Sequence, residues 1–287
     1  MIEESSGPHA VIDVPESQEE TTTGEVRFIG TATVLLRLAG FTVLTDPNFL
    51  HQGEHAPLGY GLRSKRLTEP AAQVRDLPPL DAVVLSHHHG DHFDERAARE
   101  LDKGLPIITT AHAAKKLRRQ GFRDPRPLDT WQSQLLRCGD AELRVTALPG
   151  KHAPDPVNAL LPPVMGSMLE LNRAGRSQVR IYLSGDTLLH DRLSEIPERY
   201  PTIHLGLFHL GGTKILGILL TMDGRQGLEA VRLIDPDVAI PIHYDDYTVF
   251  RSPLSEFQRA VGRAELRTRV EYLSRGDTYE FPLGPAV

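Results

Sequence analysis

A short apolar run, Ala82-Val83-Val84-Leu85, leads directly into Ser86-His87-His88-His89-Gly90-Asp91-His92. This junction constrains the fold more than any other feature of the chain. A run with no polar alternation (residues 81–85) reads as a strand buried on both faces, the kind found inside a layered α/β sheet. The polar stretch after it must then lie in a loop at the strand's carboxyl end. Four imidazoles and a carboxylate in one loop form a donor set that zinc and its neighbours prefer. Taken alone, the stretch also fits a solvated polar loop, and a motif needs its context before it carries chemistry.

The context comes from three further strand ends. His152 follows a predicted strand at 143–147 through Pro149-Gly150-Lys151. Asp186 follows a strand at 179–183 through Ser184-Gly185, and His243 comes at once after a strand at 237–242. Loops beyond the carboxyl ends of strands in α/β sheets form the crevice where ligands bind. A single His after a strand is ordinarily a surface or core residue. Four such loops carrying only His and Asp point to one shared site.

The remaining pattern supports a layered α/β chain. Strands are expected at 25–29, 34–38, 41–45, 107–110, 167–171, 203–208, 270–273 and 278–281, with a tight turn at Ala39-Gly40. Helices are expected at 94–101, 113–120, 188–198 as far as Pro197, 223–234 and 254–261. Asp223 reads as an N-cap and Asp235-Pro236 as a stop. Residues 51–79 read as a long loop rich in Gly, Pro and charge, with a helical turn or two around 69–75, and loops of that length tend to be functional. Hairpins first and strand–helix alternation later imply one layered domain over residues 24–287. Residues 1–23 are acidic and rich in Ser, Thr, Glu and Pro. They read as a disordered arm without the basic and apolar stretches of a secretory signal.

Composition narrows the function classes. The 287 residues are 40% hydrophobic and 24% charged, as in an ordinary globular protein. A net charge of -6 gives no electrostatic footprint for nucleic acid. The single cysteine, Cys138, excludes a disulfide within the chain and a cysteine-rich zinc module. That usage fits a reducing compartment, so a cytoplasmic protein is expected. No apolar run approaches 18 residues, so no spanning helix is expected. The sequence carries no sign of oligomeric state.

His87-x-His89-x-Asp91-His92, followed in order by His152, Asp186 and His243, resembles the metallo-β-lactamase superfamily. The resemblance runs from about residue 25 to the C-terminus. Phe28-Ile29-Gly30-Thr31-Ala32-Thr33 and Leu44-Thr45-Asp46-Pro47 are similar to one branch, that of the ascorbate-6-phosphate lactonases and N-acylphosphatidylethanolamine-type phospholipases D. The resemblance implies an α/β fold, the four-layer αββα sandwich, and a site for two divalent metal ions. Zn is the first expectation, with Mn or Fe as alternatives. His87, His89 and His152 would hold one ion, and Asp91, His92 and His243 the other. Asp186 would bridge both, together with a water or hydroxide. Asp91 would also serve catalysis by orienting the nucleophile or accepting its proton, and His88 would point away.

The implied function is a metal-dependent hydrolase of a small ester, lactone or phosphodiester. His89 stands where flavodiiron relatives typically carry Glu, which favours hydrolysis over electron transfer. A bridging Asp186 separates the chain from the classical β-lactamases. Two alternatives stand beside this reading. One is a nuclease, although no inserted domain or basic exosite is visible. The other is a non-enzymatic metal-binding module.

Substrate contacts are expected from His209, placed near the metals, from Lys214, able to meet an anion, and from Tyr244, able to donate to an oxyanion. A glycine turn followed by a buried apolar stretch is the plainer reading of 209–220, and packing the plainer reading of Tyr244. Asp46 is read equally as an orienting partner for a ligand and as an Asp-Pro turn. His190 reads as a surface residue. The lipid-cleaving phospholipases carry an Arg soon after the third His, and here none follows before Arg173. Leu160-Leu161-Pro162-Pro163-Val164-Met165 offers an apolar wall instead, suited to a small molecule with an apolar portion.

Overall fold

A computed structural model describes residues 10–15, 22–59 and 61–284. After β1 (Ile12–Asp13), the chain builds an antiparallel meander of β2 (Thr23–Gly30), β3 (Thr33–Leu38) and β4 (Phe41–Thr45). A separate hairpin follows, β5 (His55–Gly59) and β6 (Leu62–Lys65). Then β7 (Ala82–Val84), α1 (Glu95–Glu100), β8 (Ile107–Thr109), α2 (Ala111–Arg119) and β9 (Pro125–Pro127) extend the first sheet with parallel pairings.

The second sheet starts with the antiparallel strands β10 (Ser133–Cys138), β11 (Ala141–Leu148), β12 (Gly166–Arg173) and β13 (Arg176–Leu183). It continues through α3 (Glu195–Arg199), β14 (Leu205–His209), a small hairpin of β15 (Lys214–Ile215) and β16 (Ile218–Leu219), and α4 (Gly224–Ile234). Next come β17 (Val238–Ile242), α5 (Leu254–Val261) and β18 (Arg269–Val270). Finally β19 (Thr278–Pro282) returns to the first sheet beside β2. The sheet orders are β19-β2-β3-β4-β7-β8-β9 and β1-β10-β11-β12-β13-β14-β17-β18.

The period of two along the strands sorts side chains into layers. On β3, Val34, Leu36 and Leu38 join Leu143, Val145 and Ile181 of the other sheet in the central core. Leu35, between them, turns outward with Leu44 and Val83 to meet Ala97 of α1 and Leu117 of α2. On the other outer face, Tyr182 and Phe208 pack against Val231 and Ile234 of α4 and Phe257 of α5. Two sheets back to back, each covered by helices, form the αββα sandwich. Asp223 caps α4, accepting from the amides of Arg225 and Gln226, and Asp235 ends it in the left-handed region at φ 47°.

The structure departs from the sequence expectations in places. Within the segment read as a disordered arm, Ile12–Asp13 forms a parallel edge pairing with Leu136 and Arg137 of β10; residues 1–9 and 16–21 of that arm lie outside the described residues. The long loop at 51–79 contains the β5–β6 hairpin, and its helical turn is a 3-10 turn at Val74–Asp76. The helix expected over 188–198 is a 3-10 turn, Asp191–Ser194, followed by the short α3.

The pairings decide where the site falls. β4, β7 and β8 run parallel in one sheet, and β13, β14 and β17 in the other. β11 lies antiparallel to β12, which is antiparallel to β13, so β11 shares their direction. The carboxyl ends of β4, β7, β11, β13, β14 and β17 therefore meet along one edge of the sandwich.

Candidate metal centre

Each strand end supplies one part of the centre. The loop after β7 is held by a turn in which the amides of His92 and Phe93 both donate to the His89 carbonyl, at 3.1 and 2.8 Å. Gly90 is required there: its amide donates to the Pro57 carbonyl at 2.9 Å, and a Cβ would meet Pro57 Cδ at 2.4 Å. The β5–β6 hairpin is thereby fastened to the histidine loop. Asp94 caps α1, accepting from Ala97 N at 2.8 Å and from Leu50 N at 2.7 Å, which ties the loop after β4 to the same helix. Gly185 before Asp186 has φ 60°, and a Cβ would meet the Met165 carbonyl at 2.5 Å. His243 carries φ 60° without being glycine, and its amide donates to the Thr31 carbonyl at 2.7 Å. Backbone strain of this kind gathers at functional sites.

These turns bring the seven expected residues into two adjoining clusters, His87–His89–His152 and Asp91–His92–Asp186–His243. Within each cluster the donor atoms lie within 4.8 Å of one another. In the first, His89 Nδ1 lies 2.9 Å from His87 Nε2 and 3.3 Å from His152 Nε2. Nitrogens sharing a tetrahedral zinc at about 2.1 Å stand roughly 3.4 Å apart, so this spacing suits a common ion. In the second, His92 Nε2 lies 3.1 Å from Asp186 Oδ2 and His243 Nε2 lies 3.5 Å from Asp91 Oδ2. Asp186 Oδ1 also lies 3.5 Å from His243 Nδ1. His88 turns to Gln120, 3.1 Å away.

The opposite side of each ring is fixed by the protein. His152 Nδ1 donates to the Leu220 carbonyl at 3.0 Å and His243 Nδ1 to the Leu210 carbonyl at 3.2 Å. His92 Nδ1 lies 3.2 Å from Asp46 Oδ2. Each such contact engages Nδ1 and points Nε2 away from it, the orientation metal-binding histidines adopt. Four atoms of the second cluster, Asp91 Oδ1, His92 Nε2, Asp186 Oδ1 and His243 Nε2, are buried without a hydrogen-bond partner. Orphaned donors and acceptors this close together need a shared partner. The charge balance agrees. Asp46, Asp91 and Asp186 are buried, and among the described residues their ion-pair partners are histidines only, with no Lys or Arg. Buried carboxylates require positive charge beside them. The donor set therefore fits bound divalent metal.

Protonation follows the same geography. Burial and the neighbouring imidazoles push the His87 ring well below its ordinary range, and burial with His152 brings His89 down to about 3. Both are thus in the neutral, ligating form. Burial also acts against charge on His92, but Asp186 and Asp46 outweigh it and hold the ring well above its usual value. Burial would raise the Asp46 carboxyl; the His92 charge and hydrogen bonds from His209 and His92 outweigh that and hold it at about 2.

A third group, Asp46, His92 and His209, adjoins the second cluster. Asp46 Oδ1 accepts from the Ser86 amide at 2.7 Å, and Asp46 Oδ2 lies 3.3 Å from His209 Nε2. His209 Nδ1 lies 3.2 Å from Ser184 Oγ. Asp46 is thus an orienting partner as well as the residue of an Asp-Pro turn. His209 lies near the ligands, buried, with both ring nitrogens engaged by Asp46 and Ser184, and it does not line the cavity over the ligands. The Tyr244 hydroxyl donates to the Leu273 carbonyl at 3.2 Å and its ring packs near Phe28. Lys214 is exposed and does not line the cavity, whereas its neighbours Ile215, Leu216 and Ile218 do.

That cavity, about 300 Å³, opens over the ligands His89, Asp91, His152 and Asp186. Its walls are apolar, drawn from the β5–β6 hairpin (Leu58, Leu62), the turn at Val157–Leu160, and the β15–β16 hairpin. The sequence reading placed the apolar wall at 160–165 but missed both hairpins. The adjacent left-handed pair Leu216 (φ 51°) and Gly217 (φ 81°) is the available sign of the second one.

Comparison with known proteins agrees with this geometry. The family described as "Beta-lactamase superfamily domain" matches residues 42–244. A UPF0173 metal-dependent hydrolase of Hyperthermus butylicus is 26% identical over 265 residues, covering 90% of this chain and 100% of the relative. An isothiocyanate hydrolase from Delia radicum gut bacteria superposes with a TM-score of 0.74 at 21% identity, over 90% of this chain and 99% of its own. A possible metal-dependent hydrolase from Veillonella parvula superposes at 0.73 with 23% identity, over 89% and 98%. The strand-end ligand loops, the αββα layers and the match across most of the length lead to one conclusion: the chain belongs to the β-lactamase superfamily domain family and has the metallo-β-lactamase fold, in the company of metal-dependent hydrolases.

Proposed function

We propose that this protein is a binuclear metallohydrolase that cleaves a small ester, lactone or phosphodiester carrying an apolar portion. The observation that carries the reading is the set of unpartnered buried atoms on Asp91, His92, Asp186 and His243 beside the floor of an apolar cavity. His87, His89 and His152 would hold one ion and Asp91, His92 and His243 the other, with Asp186 between them. Two bound divalent ions, Zn in the first instance, would supply a water of lowered pKa and charge stabilisation for attacking and leaving oxygens.

The chain's own residues do the rest. Leu220, Leu210 and Asp46 fix the tautomers of His152, His243 and His92. Asp91, buried with one free oxygen and facing the cavity, is placed to orient the nucleophile and accept its proton. The apolar walls exclude water and receive the substrate's carbon skeleton. Leu160 and Leu216 on those walls are 69% and 97% exposed, so apolar surface continues to the rim. Large apolar side chains left open to water around a cleft mark binding surfaces.

The branch resemblance makes a lactone the first substrate to test. Zinc-loaded protein is assayed against a homoserine-lactone series of increasing acyl length and against bis-p-nitrophenyl phosphate. Turnover of the lactones, with kcat/KM rising with acyl length, supports carbonyl attack; turnover of the phosphodiester supports phosphoryl attack. Activity on neither, in fully loaded protein, contradicts the reading.

A further inference from the structure

A second and larger cavity, about 670 Å³, adjoins the metal centre, and none of the chemistry above uses it. It shares His89, Leu160 and Leu161 with the apolar cavity. Its character is different. His112, Lys116 and Gln120 line it from α2 and its C-cap, spaced four apart and so stacked on one helical face. His88, the residue between two ligands that turns to Gln120, meets them there, and Arg63 comes from β6.

Two of these residues, Arg63 and Lys116, are cationic. Among the described residues no carboxylate pairs with Arg63 or Lys116. Burial pushes the Lys116 ammonium down from its ordinary range with no acid to raise it. Burial lowers the His112 ring as well, and Lys116 and Lys115 add to that. His112 Nδ1 is buried and unpartnered. Two acids, Asp94 and Glu95, also line the cavity, and among the described residues neither pairs with these cations. Asp94 is occupied by the amides of Phe49, Leu50 and Ala97 and by Asn48, and Glu95 stands exposed at the edge. Two cations without ion-pair partners and a free imidazole nitrogen in one concavity offer an anion charge-assisted contacts.

We propose that this cavity is an anion subsite that holds a carboxylate or phosphate group at one end of the substrate, with the scissile bond at His89 and the apolar part in the smaller cavity. The substrate class is then an amphiphilic anionic ester. The inference rests on the hydrolase reading for the scissile bond, while the anion subsite itself can be tested without turnover.

Holoenzyme labelled at its histidine rings is titrated by NMR with inorganic phosphate and, separately, with acetate. The His112 resonances should shift and saturate with at least one of them, phosphate and acetate distinguishing the two anion classes. Lys116→Gln and Arg63→Gln should each weaken that binding by about tenfold or more, the scale of one charge-assisted contact. No shift at His112, or a shift that both variants leave intact, overturns the proposal. The kinetic arm compares p-nitrophenyl hexanoate with the mono-p-nitrophenyl ester of adipate, which adds a terminal carboxylate. The wild type should prefer the acid-ended ester, and the preference should fall about tenfold in Lys116→Gln. Equal cleavage of both esters with no His112 shift sinks the subsite and leaves the hydrolase reading standing. Cleavage of neither ester, with His112 binding that the variants abolish, sinks the hydrolase reading and leaves an anion site.

Discussion

Asp46→Asn probes the centre through a residue outside the two ligand clusters. The carboxylate faces N–H groups on both oxygens: the Ser86 amide at 2.7 Å on Oδ1, and His92 Nδ1 at 3.2 Å on Oδ2. Asparagine has the same shape but only one acceptor oxygen. If its oxygen stays with Ser86, its NH2 faces His92 Nδ1–H, and the ring must move its proton to Nε2, the atom that faces Asp186. If the amide flips, the Ser86 N–H is left facing a donor. Either way one buried polar contact is lost, at about 1–3 kcal/mol. In the first orientation the loss appears as weaker metal binding, about 10–100-fold for an outer partner of a ligating histidine, or roughly 1.4–2.7 kcal/mol. In the second it appears as lower stability. Zinc affinity is measured by competition with a chromophoric chelator, and unfolding by denaturant titration of the zinc-loaded protein. The expected result is a combined loss of at least about 1 kcal/mol, with the first ion's affinity intact. A variant that binds both ions and unfolds as the wild type does would refute the orienting role.

Three other outcomes are expected. Asp246→Ala removes a buried acceptor of the Thr31 amide at 2.7 Å and of Arg275 at 3.1 Å; the cost is about 3 kcal/mol, a fall of roughly 6–12 °C in Tm by calorimetry. Glu54, hydrogen-bonded twice to Arg96, is held at about 2 against an ordinary 4.5. A carboxyl lowered in the folded state stabilises above pH 4.5 and loses that contribution as pH falls towards about 2, so Glu54→Gln should flatten stability against pH in that window only. An unchanged slope would remove the pair from the account. Ile218→Ala trims the wall of the apolar cavity by a half-buried side chain, worth roughly 1 kcal/mol, so kcat/KM for decanoyl relative to butanoyl homoserine lactone should drop about fivefold.

The parts of the molecule legible in the sequence are those whose signal is local. The run at 82–85 emptying into histidines, the Asp223 cap and the apolar strand before His243 each declare themselves within a few residues. What sequence reading missed depends on distant partners. Ile12–Asp13 is a strand only because β10 offers an edge. The β5 sequence, with Pro57 in its middle, has little strand character; it is held by β6 and by the Gly90 amide. Tyr244 sits beside a ligand in sequence, but β-like geometry directs neighbouring side chains apart, and the left-handed turn at His243 completes the separation. Lys214 is exposed on the β15–β16 hairpin, which presents Ile215, Leu216 and Ile218 to the cavity. The polar lining of the larger cavity is spread over β6, the histidine loop and α2, and no window of sequence contains it.

The central claim is that the clusters His87–His89–His152 and Asp91–His92–Asp186–His243 form one binuclear centre. Elemental analysis by mass spectrometry, on protein purified without chelator and then equilibrated with zinc, tests it most directly when wild type and Asp186→Ala are run side by side. The account predicts two ions per chain in the wild type and a loss of at least one in the variant, with His152 and His243 still in place. One ion or fewer in the wild type, or two tightly held ions in Asp186→Ala, would contradict it.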